Sequence, residues 1–290
     1  MTIPKRYKGI IYIIISALCF AFMAAFVRLS GDLPTFQKTF FRNFVALFFA
    51  VGVMIRKRIP LRLENKKLLF PLTVRALAGT VGMIGNFYAI DHLVLSDASM
   101  LNKMSPFFAI VFSYLILKEK LTVFQISAVL IAFGGSLLII KPSFTNVDLL
   151  PALAGFAGGM GAGLAYTCVH YLGQHGVKGP LIVAFFSAFS CLFCLPFLIV
   201  GYKPMTGTQL LCLLGAGASA AGGQFTITAA YTHAPAREIS IYDYSQLIFS
   251  TTLGFFLFGD IPDGWSFLGY AVIITMAVVN FIYNNRRADS

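Results

Sequence analysis

Long apolar runs alternate with short polar connections along the chain, and one pair of runs sets the pattern. Asp97 to Ile140 holds two apolar stretches joined by Lys118-Glu119-Lys120. Each stretch is about 20 residues long, the length at which a helix crosses roughly 30 Å of hydrocarbon. So short a turn between them predicts a helical hairpin across a bilayer. A related phrase returns from Glu238 to Asn280. At an offset of 141 residues, Ser99 falls on Ser240, Asn102 on Asp243, Glu119 on Asp260 and His92 on His233. That offset is close to half of the 290 residues, which predicts a duplicated membrane unit.

The same hydropathy pattern predicts ten spans, near 8–29, 34–55, 70–91, 97–117, 122–140, 150–173, 179–200, 207–230, 237–258 and 265–283. The expected fold class is therefore all-α integral membrane. Ten transmembrane helices form two five-helix repeats, residues 1–145 and 146–290, within one compact membrane domain. Five is odd, so the second repeat enters from the opposite side and the repeat is inverted. Lys and Arg counts set the orientation. Fifteen fall on the side of the N-terminus: Lys5, Arg6, Lys8, Arg56, Lys57, Arg58, Arg62, Lys66, Lys67, Lys118, Lys120, Lys178, Arg237, Arg286 and Arg287. The opposite loops hold Lys141 and Lys203. Both termini are expected in the cytoplasm of a bacterial inner membrane.

Composition agrees. Hydrophobic residues make up 58% of the chain and charged residues 11%, against about 25% charge in soluble domains. The first run, from Gly9, is too long for the apolar core of a signal peptide. The net charge of +11 sits mainly in the connections, which excludes a nucleic-acid partner and leaves the bilayer. The basic loop from Arg56 to Lys67 reads as topology control, with lipid binding the less favoured alternative.

Several chemistries are excluded. All five cysteines lie inside apolar runs, so Cys191-Leu-Phe-Cys194 lacks the exposed, activating setting of a redox pair, and no disulfide or metal site is expected. There is no phosphate-binding GxxxxGK[ST] loop and no HExxH. Tyr242-Asp243 resembles half of an intramembrane aspartyl protease signature, and its partner motif is absent. An enzyme is not expected, and no cofactor is called for.

The informative residues are polar groups inside the spans, where a charge costs at least ~2.5–3.5 kcal/mol. Arg42 lies about 12 Å into the second span at 1.5 Å per residue. Arg75, Lys103 and Asp243 are comparably placed in the third, fourth and ninth. Arg28 and Lys38 stand near span ends, where long side chains can reach headgroups. Helical spacing groups Arg75, Gly79, Gly82 and Asn86; Ser99, Asn102 and Pro106; Gly159, Gly163, Tyr166 and His170; and Ser240, Asp243, Gln246 or Leu247, and Ser250. Such stripes either line a watery pathway or join helices through hydrogen bonds. The candidate substrate-binding residues are Arg42, Arg75, Asn86, Tyr88, Asn102, Lys103, Tyr166, His170, Tyr242, Asp243 and Gln246. Basic groups outnumber Asp243, which favours a carboxylated or amino-acid-like solute. Lys103 and Arg42 are expected to hold its acid group. Asp243 is expected to balance charge or accept a proton.

The five-plus-five repeat, Phe41-Arg42-Asn43, and Leu117-Lys118-Glu119-Lys120-Leu121 followed by Gly134-Gly135 together resemble the ten-helix drug/metabolite transporter superfamily, EamA type. Gly259-Asp260 stands where that family carries glycine-glutamate. The resemblance implies a basket of helices around a cavity lined by the first, third, fourth, sixth, eighth and ninth, and alternating-access transport, often export. The expected partners are a small-molecule substrate, the lipid bilayer, and a proton or exchanged counter-solute. The oligomeric state is open, a dimer included. The alternatives are a lipid scramblase or non-transporting scaffold, and a carrier of cationic amines or drugs recognised by Asp243.

Overall fold

The computed structural model describes residues 5–61, 65–118, 122–140, 149–233 and 240–288. Of the residues named above, Arg62, Glu119, Lys120, Leu121, Lys141, Arg237 and Glu238 lie outside these ranges. Every regular element among the described residues is helical: α1 (Lys5–Leu29), α2 (Thr35–Arg56), α3 (Leu69–His92), α4 (Leu95–Asn102), α5 (Ser105–Phe112), α6 (Val123–Ile140), α7 (Leu149–Gln174), α8 (Gly179–Gly201), α9 (Gly207–His233), α10 (Ser245–Phe258) and α11 (Gly264–Ala288). Short 3-10 turns at Lys66–Leu68 and Ser240–Tyr244 lead into α3 and α10, and a π-helical turn at Ser113–Leu117 extends α5.

Among the described residues, eight segments are long and apolar enough to cross a membrane. They are α1, α2, α3, the α4–α5 pair, α7, α8, α9 and α11. The apolar stretch of α6, Ile126–Ile139, and α10 are shorter. Helices suit such segments because each bonds its own backbone where no water is available. Large apolar side chains such as Phe48, Ile55, Phe70, Val200 and Phe256 lie exposed.

Small residues let the helices meet closely. α3 packs on α7, where a Cβ on Gly82 would come within 3.0 Å of the Gly158 carbonyl, and one on Gly158 within 2.9 Å of the Gly82 carbonyl. α6 packs on α11 in the same way, a Cβ on Gly269 meeting the Gly135 carbonyl at 2.8 Å. α1 packs on α9, α2 on α8, and α4 on α10.

Ion pairs tie the helix ends around the α1–α2 turn. Lys38, in the first turns of α2, donates to Asp91 at the end of α3 at 2.6 Å. The Arg28 guanidinium grips Asp260 with two nitrogens and lies 4.4 Å above the Phe258 ring. Asp260 also accepts the Leu95 backbone N–H at 3.0 Å, which satisfies a free donor at the start of α4. The expectation that Lys38 and Arg28 reach headgroups is therefore corrected. A carboxylate lies within reach of each, and an ammonium 1% exposed gains more from that pairing than from water.

Candidate functional site

The fourth apolar run does not continue as one helix. α4 ends at Asn102, and α5 begins at Ser105. Pro106 explains the break, since it has no N–H to donate to the Asn102 carbonyl and disfavours helical geometry at Ser105. Lys103 sits at the break. Its backbone carbonyl accepts the Tyr244 hydroxyl at 3.2 Å, and its ammonium donates to Asp243 Oδ2 at 2.6 Å. Asp243 belongs to the 3-10 turn before α10, so both irregular helix segments meet at this pair. Ser99 and Ser250 bond at 2.8 Å a little further along the same crossing. Interrupted helices meeting over charged groups are a recurrent way to build a transporter's site.

A cavity of about 100 Å³ opens beside Lys103. Arg42 from α2 and Arg75 from α3 enter it, buried to 3% and 5% exposure. Both approach one ring: the Arg75 guanidinium lies 3.9 Å from the Phe186 centroid and that of Arg42 lies 6.0 Å away. Arg42 Nη1 donates to Asn43 Oδ1 at 2.8 Å, and Asn43 is anchored through its amide to the Thr39 carbonyl at 2.9 Å. The Phe41-Arg42-Asn43 phrase thus contains its own orienting group. Arg42 Nε and Arg75 Nε and Nη1 have no hydrogen-bond partner among the described residues, nor has Asn86 Oδ1. Neither arginine forms an ion pair with a described carboxylate. Gly79 leaves the room that this stacking needs, because a Cβ there would stand 2.8 Å from Arg75 Nη1 and 3.0 Å from Phe186.

The third-span stripe of Arg75, Gly79, Gly82 and Asn86 lines the cavity as a whole, and Asn102, Lys103, Tyr166 and Gln246 join it. Tyr166 is 39% exposed. The α7 stripe is corrected by one position. Gly159 and Gly163 pack on the α4–α5 backbone, a Gly163 Cβ meeting the Ser105 carbonyl at 2.8 Å, while Gly158, Ala162 and Ala165 face the cavity beside Tyr166. His170 lies outside it, exposed and bonded to Gln174 at 2.9 Å. Tyr88 also lies outside, its ring tilted 38° against that of His92 with centroids 4.3 Å apart, and Tyr242 is exposed in the turn before α10. Asp243 stands behind Lys103 rather than on the wall.

Sequence spacing did not single out Phe186 or Gln224, both on the wall. Phe186 is one of several phenylalanines in an apolar run, and its position gives no sign that two guanidiniums converge on it. The cavity accordingly draws on α2 and α8, beyond the six helices that the family resemblance implies.

Both the sequence and the fold have known counterparts. Residues 7–141 match the model of the EamA-like transporter family. The chain is 29% identical over 279 residues to an uncharacterized transporter of Helicobacter pylori, covering 92% of each. It is 26% identical over 281 residues to the pseudopaline exporter CntI of Pseudomonas aeruginosa, covering 96% of this chain and 97% of that one. A solved crystal structure superposes with a TM-score of 0.68 at 16% identity, over 98% of this chain and 99% of the other, a likeness of fold. The chain is an integral, multi-pass membrane transporter.

Proposed function

We propose that the protein is a secondary carrier that moves small carboxylated or amino-acid-like metabolites by alternating access, as an exporter or exchanger. The observation that carries this reading is the pair of buried guanidiniums with unmatched donors. An unpaired buried charge is costly, and an entering carboxylate offers charge-assisted bonds to it. The anchor is therefore Arg42 with Arg75 rather than Arg42 with Lys103, because the Lys103 ammonium is already engaged by Asp243. Asn86, Asn102, Tyr166 and Gln246 supply polar contacts around the rest of the solute.

The cavity, about 100 Å³, is smaller than the ~300–1,000 Å³ of sites that hold small molecules. A metabolite enters only when the helices part, as alternating access requires. A solute carboxylate that reaches Lys103 leaves Asp243 to a proton or to a counter-solute, which couples the two movements. The exporter among the relatives supports the outward direction.

Ten crossings in two inverted five-helix repeats complete the proposal, counting α4–α5 as one crossing and α6 and α10 as full ones. Helix packing supports the symmetry. Exchanging each crossing with its counterpart five further on turns α1 on α9 into α7 on α3, and α5 on α7 into α10 on α1. It leaves α2 on α8, α4 on α10 and α6 on α11 unchanged. In this arrangement both termini are cytoplasmic.

The test is flux in proteoliposomes. Radiolabelled carboxylates are expected to move down or against a counter-solute gradient in wild type, and roughly 10–100-fold less effectively in Arg75→Gln, the loss of a charged hydrogen bond being about 1.5–3 kcal/mol. A second reading rests on Asp243 Oδ1, which has no hydrogen-bond partner among the described residues and is a place for a cationic amine. Amine flux lost in Asp243→Asn and retained in Arg75→Gln would replace the anionic reading with that one.

A further inference from the structure

A second cavity lies away from the site, between α2, α3 and α8, at the end of the bundle opposite the ion pairs. It measures about 510 Å³, within the ~300–1,000 Å³ range of ligand sites. Leu47 and Val51 of α2, Leu72 of α3, and Ala184 and Phe185 of α8 wall it. Among the described residues, Lys66 is the one charged residue on its lining. The side chain of Asn65 accepts from the Lys67 N–H at 2.9 Å, fixing the 3-10 turn that carries Lys66 and Lys67. Arg56 ends α2, and Lys57 and Arg58 follow it in the same connection. All five cations are exposed, and none pairs with a described carboxylate.

An apolar groove this large is not a stable home for water, and the five exposed cations of this connection, without a partner among the described carboxylates, attract negative charge. Basic pockets at helix ends suit anionic headgroups. We infer that this groove is a binding site for an anionic phospholipid, with an acyl chain between α2, α3 and α8 and the phosphate at Lys66 and Lys67. The lipid then bridges the two repeats proposed above, since α8 belongs to the second, while the inference is independent of which solute is carried. Positive-inside topology alone requires basic residues in this connection. It does not require a groove that seats a chain beside them.

The test uses the full-length, delipidated protein in mild detergent. Native mass spectrometry titrates phosphatidylglycerol against phosphatidylcholine of the same acyl chains. The expected result is one tight phosphatidylglycerol site, preferred roughly tenfold, since each basic residue near a headgroup contributes about 1 kcal/mol. Lys66→Gln/Lys67→Gln should reduce the preference to within about twofold, and Ala188→Phe should remove the tight site by filling the groove. The lysines are exposed, so that variant reads out even where the groove-filling one fails to fold. Equal binding of the two lipids, a preference that survives the lysine change, or a dimer mass lost on filling the groove would overturn the inference.

Discussion

Lys38 and Arg42 lie one helical turn apart on α2, and both are buried. Lys38 holds Asp91 at 2.6 Å, whereas Arg42 meets an asparagine and the edge of an aromatic platform. The same contrast separates the end of the bundle from its centre. At the end, Arg28, Lys38, Asp91 and Asp260 match basic groups with acidic ones across α1, α2, α3 and the turn after α10. At the centre, Arg42 and Arg75 share Phe186 and have no carboxylate among the described residues. Lys103 with Asp243 stands between these cases, matched yet next to the cavity. Matched charges hold helices together. Unmatched ones carry a cost that folding alone does not recover, which points to a bound anion.

Removing one partner of a matched pair tests the difference most severely. Lys38→Ala should lower stability by about 3–5 kcal/mol by leaving Asp91 uncompensated, and Lys38→Ala/Asp91→Ala should regain most of it, read by thermal unfolding in detergent. A single-variant cost below about 1 kcal/mol would mean the end pairs are incidental. Arg75→Gln sharpens the other side. Apparent affinity for the proposed carboxylate substrate should fall roughly 10–100-fold, while stability stays level or rises because an unmatched buried charge has gone. Phe186→Leu removes the shared ring and should weaken binding by about 1 kcal/mol, or roughly fivefold. Gly79→Ala should act least, about threefold, by pushing the Arg75 guanidinium off its stacking position, a modest effect typical of a single added methyl. If Gly79→Ala alters stability and not affinity, the glycine serves packing alone.

Much of this was legible in the sequence, and the boundary is physical. Run length and the scarcity of charge revealed helices across a membrane, because lipid tolerates few other backbones. The spacing of Arg75, Gly79, Gly82 and Asn86 marked an inward polar face, open between a pathway and a helix joint, and the structure puts all four on the cavity wall. Overlaying the two halves placed Asn102 on Asp243, and the structure joins the neighbouring Lys103 to Asp243. Partner choice was not legible. Asp91 and Asp260 lie 53 and 232 residues from Lys38 and Arg28, and no local spacing links them. His170 and Tyr166 share a face by period, yet one lies at the helix end and the other on the cavity. Periodicity gives direction around a helix without saying how far the cavity extends along it.

The most direct measurement is thermal unfolding of the purified protein against matched solutes, each carboxylate beside its amide. A ligand at 100 times its dissociation constant stabilises by about 2.7 kcal/mol. A carboxylate should raise the unfolding temperature of wild type, its amide should not, and Arg42→Gln/Arg75→Gln should abolish the rise. Equal protection by the amide, or protection that persists in the double variant, would contradict the claim that two unmatched guanidiniums hold the substrate.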